Sequence, residues 1–201
     1  MMKDNKKIDS AQQMNQYHYK NFTIEVIDEP AYKYGSVDNS FCYSRIYFGD
    51  DAERYPTSKH GVKIYEDDQI IDSCIIIASG GTTGIHQNST LVDNDQLLIC
   101  CCDTIFCLAL PDLALKWKTQ ADQATCFQVF KLQDGYIVHG ELLITKLDRE
   151  GNKKWEFGGD DIFVSINNEE VFKMDNDGIL LTDFAMSKYK IDFEGKLLSD
   201  F

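Results

Sequence analysis

Short apolar runs separated by polar turns recur through the second half of the chain. The runs 97–102, 136–139 and 179–182 each follow a polar turn that contains an aspartate. A second apolar run then follows each of them, at 105–110, 142–148 and 186–192. Brief runs of this kind, bounded by turn residues, predict β-strands joined as hairpins. No segment predicts a helix longer than two turns.

The pattern is an internal repeat. The sequence Phe-Lys-Leu-Gln-Asp-Gly at 130–135 returns at 172–178 as Phe-Lys-Met-Asp-Asn-Asp-Gly. The turn aspartates Asp95, Asp134 and Asp177 lie 39 and 43 residues apart. Each unit continues into a third strand and a fourth strand, the fourth being 125–132 and then 162–174 with a polar break. Four short antiparallel strands in such a period predict an all-β fold of meander repeats, as a small or incomplete β-propeller or, alternatively, a β-sandwich.

One part of the unit resembles a known repeat. Residues 147–155 read Leu-Asp-Arg-Glu-Gly-Asn-Lys-Lys-Trp, 109–117 is a partial copy, and 191–198 is a copy without the tryptophan. This segment resembles the PQQ-like, quinoprotein-type β-propeller repeat. The resemblance implies blade architecture and packing between blades for Trp117 and Trp155. The chain is also similar to bacterial proteins of about this length whose function is unknown, which implies no activity.

The first half of the chain is less regular. We expect a disordered tail at 1–16 and a single all-β domain at 17–201, with an irregular β part at 17–90 and three blade-like repeats at 91–201. Within the irregular part, strands are predicted at 22–27, 41–48, 62–65 and 69–78. Asp67 and Asp68 form the turn of a hairpin, and the polar segment 50–60 is predicted to be a surface loop.

The composition and charge of the chain indicate which classes of partner and which cellular compartment suit it. With 43% hydrophobic and 26% charged residues the chain is an ordinary globular one, and 20 basic against 33 acidic side chains give a net charge of −13. This charge disfavours nucleic acid and anionic membranes as partners. No apolar run approaches the roughly 20 residues of a membrane-spanning helix. Seven cysteines, an odd number, fit a reducing cytoplasm and show no zinc-ligand spacing.

Successive turns of an antiparallel meander alternate between the two ends of a sheet. The Asp-Gly and Glu-Gly turns therefore share one end, and the remaining connections share the other. Loops on a rigid β scaffold are the usual place for binding residues. The candidate binding residues at this second end are His86, Asp103, Cys126, His139, Glu141, Asp160 and Asp161.

These residues form no catalytic motif, and we predict neither a cofactor nor a metal. The sequence favours a non-catalytic protein–protein interaction module, such as a small bacterial inhibitor or immunity-type protein. Its protein partner is unknown, and the acidity of the chain favours a basic one. The alternative is a small-molecule binder or enzyme that uses His86, Cys126, His139 and Glu141. A third hypothesis is self-assembly through unpaired edge strands.

Overall fold

A computed structural model describes residues 14–165, 167 and 169–200. The described residues form seventeen β-strands and no helix. The strands make four sheets, A to D, and sheets B, C and D are four-stranded antiparallel meanders. The predicted all-β class with an incomplete propeller-like arrangement is thereby confirmed. No helix of this part of the chain has the length and apolarity needed to cross a membrane.

Sheet A contains five strands in the order β1-β2-β4-β5-β3. They are β1 (Met14–Tyr19), β2 (Phe22–Asp28), β3 (Arg45–Phe48), β4 (Ser58–Glu66) and β5 (Gln69–Ala78). The predicted tail at 1–16 reaches too far, because residues 14–16 pair with β2; residues 1–13 lie outside the described residues. Strand β3 runs parallel to β5, because segment 29–44 crosses behind the sheet before β3 begins.

The predicted surface loop at 50–60 ends earlier than expected. Strand β4 begins at Ser58, so Ser58 and His60 lie in the centre of sheet A and are buried. The Thr83 N–H donates to Ser58 Oγ at 2.9 Å. His60 Nδ1 lies 3.2 Å from Asp28 Oδ1, but neither ring nitrogen of His60 makes a hydrogen bond to the described residues. Thr83 and Asp28 are distant in the chain, so the sequence around Ser58 and His60 does not indicate a buried strand.

The other three sheets follow the chain in order. Sheet B is β6 (Thr90–Asp93), β7 (Gln96–Cys101), β8 (Thr104–Ala109) and β9 (Leu115–Gln120). Sheet C is β10 (Cys126–Lys131), β11 (Gly135–Gly140), β12 (Ile144–Asp148) and β13 (Lys153–Phe157). Sheet D is β14 (Phe172–Met174), β15 (Ile179–Thr182), β16 (Lys188–Ile191) and β17 (Leu197–Asp200). The predicted fourth strand of each repeat is therefore the first strand of the next sheet, since it pairs across the Asp turn with the strand that follows.

Neighbouring sheets dock through a repeated tryptophan–glycine contact. Trp117 of β9 lies against Gly151 in the β12–β13 turn, where its indole N–H donates to the Arg149 carbonyl at 3.2 Å. Trp155 of β13 repeats the contact on Gly195 of sheet D, donating to a backbone carbonyl of that turn at 3.1 Å. Gly151 has φ +84°, and a Cβ there would lie 2.5 Å from the Trp117 ring. Only glycine gives this backbone conformation together with this close approach.

Apolar clusters fill the spaces between sheets A and B, B and C, and C and D. At the A–B junction Tyr47 replaces the tryptophan, and its hydroxyl donates to the Leu113 carbonyl at 2.8 Å. A fourth cluster lies behind sheet A, where Tyr32 and Tyr43 from segment 29–44 cover Ile75 and Ile77 of β5. The chain thus covers the outer face of its own first sheet.

The last sheet has a different outer face. Cross-strand partners share one face of a sheet, so register identifies equivalent rows in the three meanders. The rows are Leu91, Leu98, Cys107 and Trp117 in sheet B; Phe130, Ile137, Lys146 and Trp155 in sheet C; and Lys173, Leu180, Lys190 and Ser199 in sheet D. The first two rows pack against the next sheet, whereas the row in sheet D is largely polar.

Candidate functional site

The connections of sheets B to D fall at two ends. The turn end comprises 94–95, 110–114, 132–134, 149–152, 175–178 and 192–196; the loop end comprises 79–89, 102–103, 121–125, 141–143, 158–171 and 183–187. Backbone hydrogen bonds join the loop-end connections across the sheets. The Gly81 N–H donates to the Ala124 carbonyl at 2.8 Å, the Glu141 N–H to the Thr125 carbonyl at 2.8 Å, and the Phe163 N–H to the Glu141 carbonyl at 2.7 Å. The loop end is therefore one continuous surface.

Several acidic side chains at or beside the turn end are paired with lysine or arginine. The pairs are Lys20–Asp95, Lys131–Asp93, Arg149–Asp93, Lys146–Asp134, Lys146–Glu194, Lys154–Asp148 and Lys190–Asp177. Burial raises the pKa of Asp93, but hydrogen bonds from Lys131, Tyr136 and Arg149 outweigh it and hold that pKa below its usual value. Charge at this end is thus partly neutralised within the chain, since Asp112, Glu150, Asp175 and Asp192 form no ion pair among the described residues.

The loop end differs in this respect. Within the described ranges, none of its carboxylates forms an ion pair with lysine or arginine; they are Asp103, Asp122, Glu141, Asp160, Asp161, Glu169, Glu170 and Asp183. Asp160, Asp161, Glu169 and Glu170 are also exposed. All four lie in the connection 158–171 between sheets C and D, which makes that connection the most acidic accessible part of the loop end.

His139 is held firmly at the loop end of β11. It is 5% exposed, with Nδ1 3.0 Å from Gln128 Oε1 and Nε2 3.2 Å from the Phe163 carbonyl. Burial lowers the pKa of His139 to about 4, so the ring is neutral near pH 7. A neutral imidazole donates from one nitrogen only, so with Nε2–H donating to Phe163, Nδ1 accepts from the Gln128 amide in its flipped orientation. His139 therefore joins sheets C and D and does not shuttle protons at neutral pH.

His86 and His139 line the same cleft. The cleft has a volume of about 340 Å³, and its walls include Phe127, Glu169 and Phe172. His86 is exposed, and its Nδ1 lies 2.7 Å from the Gln87 carbonyl. These two histidines are the pair of predicted site residues that the structure brings together.

Three other predicted residues have partners away from that cleft. Cys126 is fully buried, and burial raises its pKa well above the usual value of a thiol. Glu141 Oε2 accepts a hydrogen bond from Thr125 Oγ1 at 2.7 Å. The carboxylate of Asp103 accepts from Thr104 Oγ1 and from Gln120 Nε2, both at 2.7 Å. Cys126, Glu141 and the two histidines thus do not converge on one reaction centre.

Asp160 and Asp161 lie beside exposed apolar side chains. Asp160 lines an open depression together with Met186 and Lys188, and Asp161 Oδ1 accepts from the Ile162 N–H at 2.8 Å. Met186 is 59% exposed, and the nearby Phe184 is 45% exposed. Phe184 and Met186 also line a cleft of about 410 Å³. Carboxylates therefore border an accessible apolar surface.

Neither a protein-family model nor a curated protein matches the chain. Solved structures are similar to it at low identity. BamB from Moraxella catarrhalis is 17% identical with a TM-score of 0.49, over 70% of this chain and 43% of BamB. The computationally designed Ika8 protein is 10% identical with a TM-score of 0.50, over 92% of this chain and 60% of Ika8. The AfRom2 CNH domain is 12% identical with a TM-score of 0.47, over 94% of this chain and 69% of that domain.

These similarities concern the fold alone. The chain spans 43% of the length of BamB and 60% of the length of Ika8, so it is shorter than either. The likeness to Ika8 accords with an all-β chain of repeated four-stranded sheets. The chemistry of the loop end must be argued from its own residues.

Sequence reasoning missed several loop-end residues. Asp122 is buried, and its two carboxylate oxygens accept four backbone N–H groups, from Ala124, Thr125, Leu142 and Leu143, at 2.6 to 3.1 Å. Those partners lie in two connections, so no local pattern identifies the role. Glu169 and Glu170 were predicted to lie in a broken strand, 162–174; the strand is only Phe172–Met174. The polar break was the available signal for a loop.

The arrangement is suited to binding. Exposed carboxylates without ion pairs attract cationic groups, and the neighbouring apolar side chains supply contact area. Across the described part of the chain, no group of three or more histidine, cysteine, aspartate or glutamate side chains is placed to hold a metal ion. The loop end thus has the features of a docking surface.

Proposed function

We propose that this protein is a non-catalytic protein-binding module that docks a basic partner at its loop end. The supporting observation is the contrast in charge pairing: Asp160, Asp161, Glu169 and Glu170 are exposed and have no lysine or arginine partner among the described residues. At the turn end, Asp95, Asp134, Asp177 and Glu194 do have such partners, whereas Asp112, Glu150, Asp175 and Asp192 have none among the described residues. A basic partner would supply the missing cations.

In this proposal the negative net charge and the exposed apolar side chains at the loop end both contribute to binding. A charge of −13 steers a basic protein toward the module and speeds association at low ionic strength. Phe184 and Met186 then offer apolar contact in the middle of the acidic surface. Interfaces of this kind combine a buried apolar centre with a polar rim.

The geometry favours binding over the enzyme alternative. An activated cysteine requires a low pKa and access to substrate, whereas Cys126 has a raised pKa and is fully buried. His139 is neutral, with both nitrogens engaged, and Glu141 is hydrogen-bonded to Thr125. These side chains hold the sheets together, which leaves the outer carboxylates for recognition.

One concrete form of the proposal is a small bacterial inhibitor or immunity-type protein that covers a basic surface on its target. We place it in the cytoplasm, because its buried cysteines are free thiols that pack as small core residues. In this form the module acts by occupying the target surface and needs no chemistry of its own.

The test is affinity capture from source-cell lysate with three immobilised proteins. They are the wild type, the loop-end reversal Glu169→Lys/Glu170→Lys, and the matched control Glu53→Lys/Glu150→Lys. Glu53 and Glu150 are exposed and line none of the clefts described above. Circular dichroism and thermal unfolding first establish that all three fold alike.

We expect a basic protein to be retained by the wild type and by the control and to be lost from the loop-end reversal. Retention should also fall as salt rises, because the contact is between charges. Equal retention by all three proteins would overturn the proposal. Capture of no protein by the wild type would also count against it.

A further inference from the structure

We propose that the cleft between His86 and Phe172 receives an arginine side chain of the partner. This inference rests on the proposed function and names the chemistry by which the loop end recognises its target. Glu169 and Glu170 both line this cleft. In this arrangement the guanidinium is held by these carboxylates beside the aromatic rings that line the cleft.

Three rings, Phe127, His139 and Phe172, line part of the cleft and pack on one another or on neighbouring rings. Phe172 stacks on His139 with a centroid distance of 4.9 Å and an interplanar angle of 15°. It also stacks on Phe130, at 4.9 Å and 14°. Phe127 meets the His139 ring edge to face at 5.5 Å. Rings fixed by several neighbours give a rigid apolar surface, which lowers the entropy lost on binding.

Among the described residues, the lining of the cleft also lacks lysine and arginine side chains that would repel a cationic group. His139, which lines the cleft, is neutral near pH 7 because burial lowers its pKa to about 4. The larger neighbouring cleft shares Glu169 and Glu170 but also contains Lys188. A cationic side chain is therefore favoured in the cleft of His86 and disfavoured beside Lys188.

Arginine fits this cleft better than lysine does. A guanidinium is planar and carries five N–H donors, so it can bond two carboxylates while its flat face lies on an aromatic or apolar wall. Glu169 and Glu170 are adjacent in sequence and supply those two carboxylates. The cleft volume of about 340 Å³ accommodates the long apolar stem of the side chain.

The test is an NMR titration of the whole protein with small blocked tripeptides. The probe is acetyl-glycyl-arginyl-glycinamide, compared with the same peptide containing citrulline, lysine or glutamate in place of arginine. Citrulline keeps the shape of arginine and removes its charge. The readout is the imidazole signal of His86, assigned by its loss in His86→Gln. The protein variants are Glu169→Gln/Glu170→Gln and the matched control Glu53→Gln/Glu150→Gln.

We expect a saturable shift of the His86 signal with the arginine peptide and weaker binding of the other three peptides. The Glu169→Gln/Glu170→Gln variant should bind the arginine peptide about tenfold more weakly, as expected for lost charge-assisted hydrogen bonds. The control variant should bind like the wild type. Equal binding of the citrulline, lysine or glutamate peptide would overturn the assignment, as would unchanged binding by the Glu169→Gln/Glu170→Gln variant or no saturable shift.

The two proposals fail separately. The titration needs no partner protein, and the capture experiment needs no peptide. If partner capture depends on Glu169 and Glu170 but no arginine peptide binds, then the docking proposal stands and the arginine assignment is wrong. If the peptide binds but charge reversal leaves capture unchanged, then the cleft is real and the docking proposal is wrong.

Discussion

The turn end and the loop end of sheets B to D come from the same meander, yet they use acidic residues differently. At the turn end, Asp93 and Asp134 pair with lysine or arginine from the same or the adjacent sheet. At the loop end, carboxylates accept backbone N–H groups, as Asp122 does, or remain exposed, as Glu169 does. The partner of a carboxylate, more than its position in a repeat, therefore indicates whether the carboxylate stabilises the fold or is available for binding.

The largest effect is expected where a loop-end carboxylate serves folding. Asp122→Ala leaves four backbone N–H groups without their acceptor, so the free energy of unfolding should fall by about 3 kcal/mol or more. Urea unfolding followed by tryptophan fluorescence measures this loss. Asp112→Ala is the control, because Asp112 is exposed and caps only the Ala114 N–H; its cost should be about 0.5–1 kcal/mol. Equal losses would contradict the assigned role of Asp122.

At the turn end, the strongest test concerns docking between sheets. Gly151→Ala forces a Cβ into the Trp117 ring and also strains a backbone with φ +84°, so it should cost about 2–4 kcal/mol. Gly35→Ala is the matched control: φ is +75°, and nothing lies within 4 Å of the new Cβ. That variant should lose only about 1 kcal/mol from backbone strain. Thermal and urea unfolding of both variants would show whether the tryptophan contact adds to the strain.

His139 at the loop end should also make the free energy of unfolding depend on pH in the mildly acidic range. The folded pKa of His139 is lowered to about 4, so the unfolded chain takes up a proton before the folded one does. Stability from this group is present above the unfolded pKa of about 6.5 and is lost as pH falls toward 4, by on the order of 2 kcal/mol. Urea unfolding at intervals from pH 7 to pH 4 measures this slope. His139→Gln should have a shallower slope over that interval, and an unchanged slope would show that another group is responsible.

The smallest effect is expected for the exposed loop-end acids. Asp160→Asn/Asp161→Asn should change the free energy of unfolding by less than about 0.5 kcal/mol, because neither carboxylate has an ion pair among the described residues. The amide oxygen at 161 can still accept from the Ile162 N–H. Differential scanning calorimetry at low and moderate salt measures the change. A large loss would mean that these acids serve folding, and the contrast between the two ends would weaken.

Local sequence patterns correctly predicted the strands and turns that are determined by residues close to one another in the chain. Strand β5 was predicted with its observed limits, 69–78, because β-branched residues run between two clear boundaries. The turn at Asp67 and Asp68 was predicted as well, and both residues adopt positive φ angles, +47° and +63°. Such turns depend only on neighbouring residues and on the tolerance of aspartate for that conformation.

What the sequence did not predict depends on distant partners. Ser58 and His60 look like loop residues until Thr83 and Asp28 are placed beside them. The cleft brings Glu169 together with His86 and His139, which lie far from it in the chain, and no spacing in the chain encodes that proximity. The alternation of turns between the two ends of a sheet indicated the correct end for His86 and His139. It did not indicate which other residues would line a cavity with them.

The outer face of sheet D does not match the face that a further copy of sheet C would bring. A duplicated copy of sheet C would present Tyr136 and Val138 for burial, as the present copy does against sheet B. On sheet D it would meet Lys173, Lys190 and Ser199. The counterparts of Lys173 and Ser199 in sheet C are Phe130 and Trp155, so grafting such a copy onto sheet D would call for apolar replacements at those two positions. Lys190 could stay, because its counterpart Lys146 packs at the junction of sheets C and D while paired with acidic side chains.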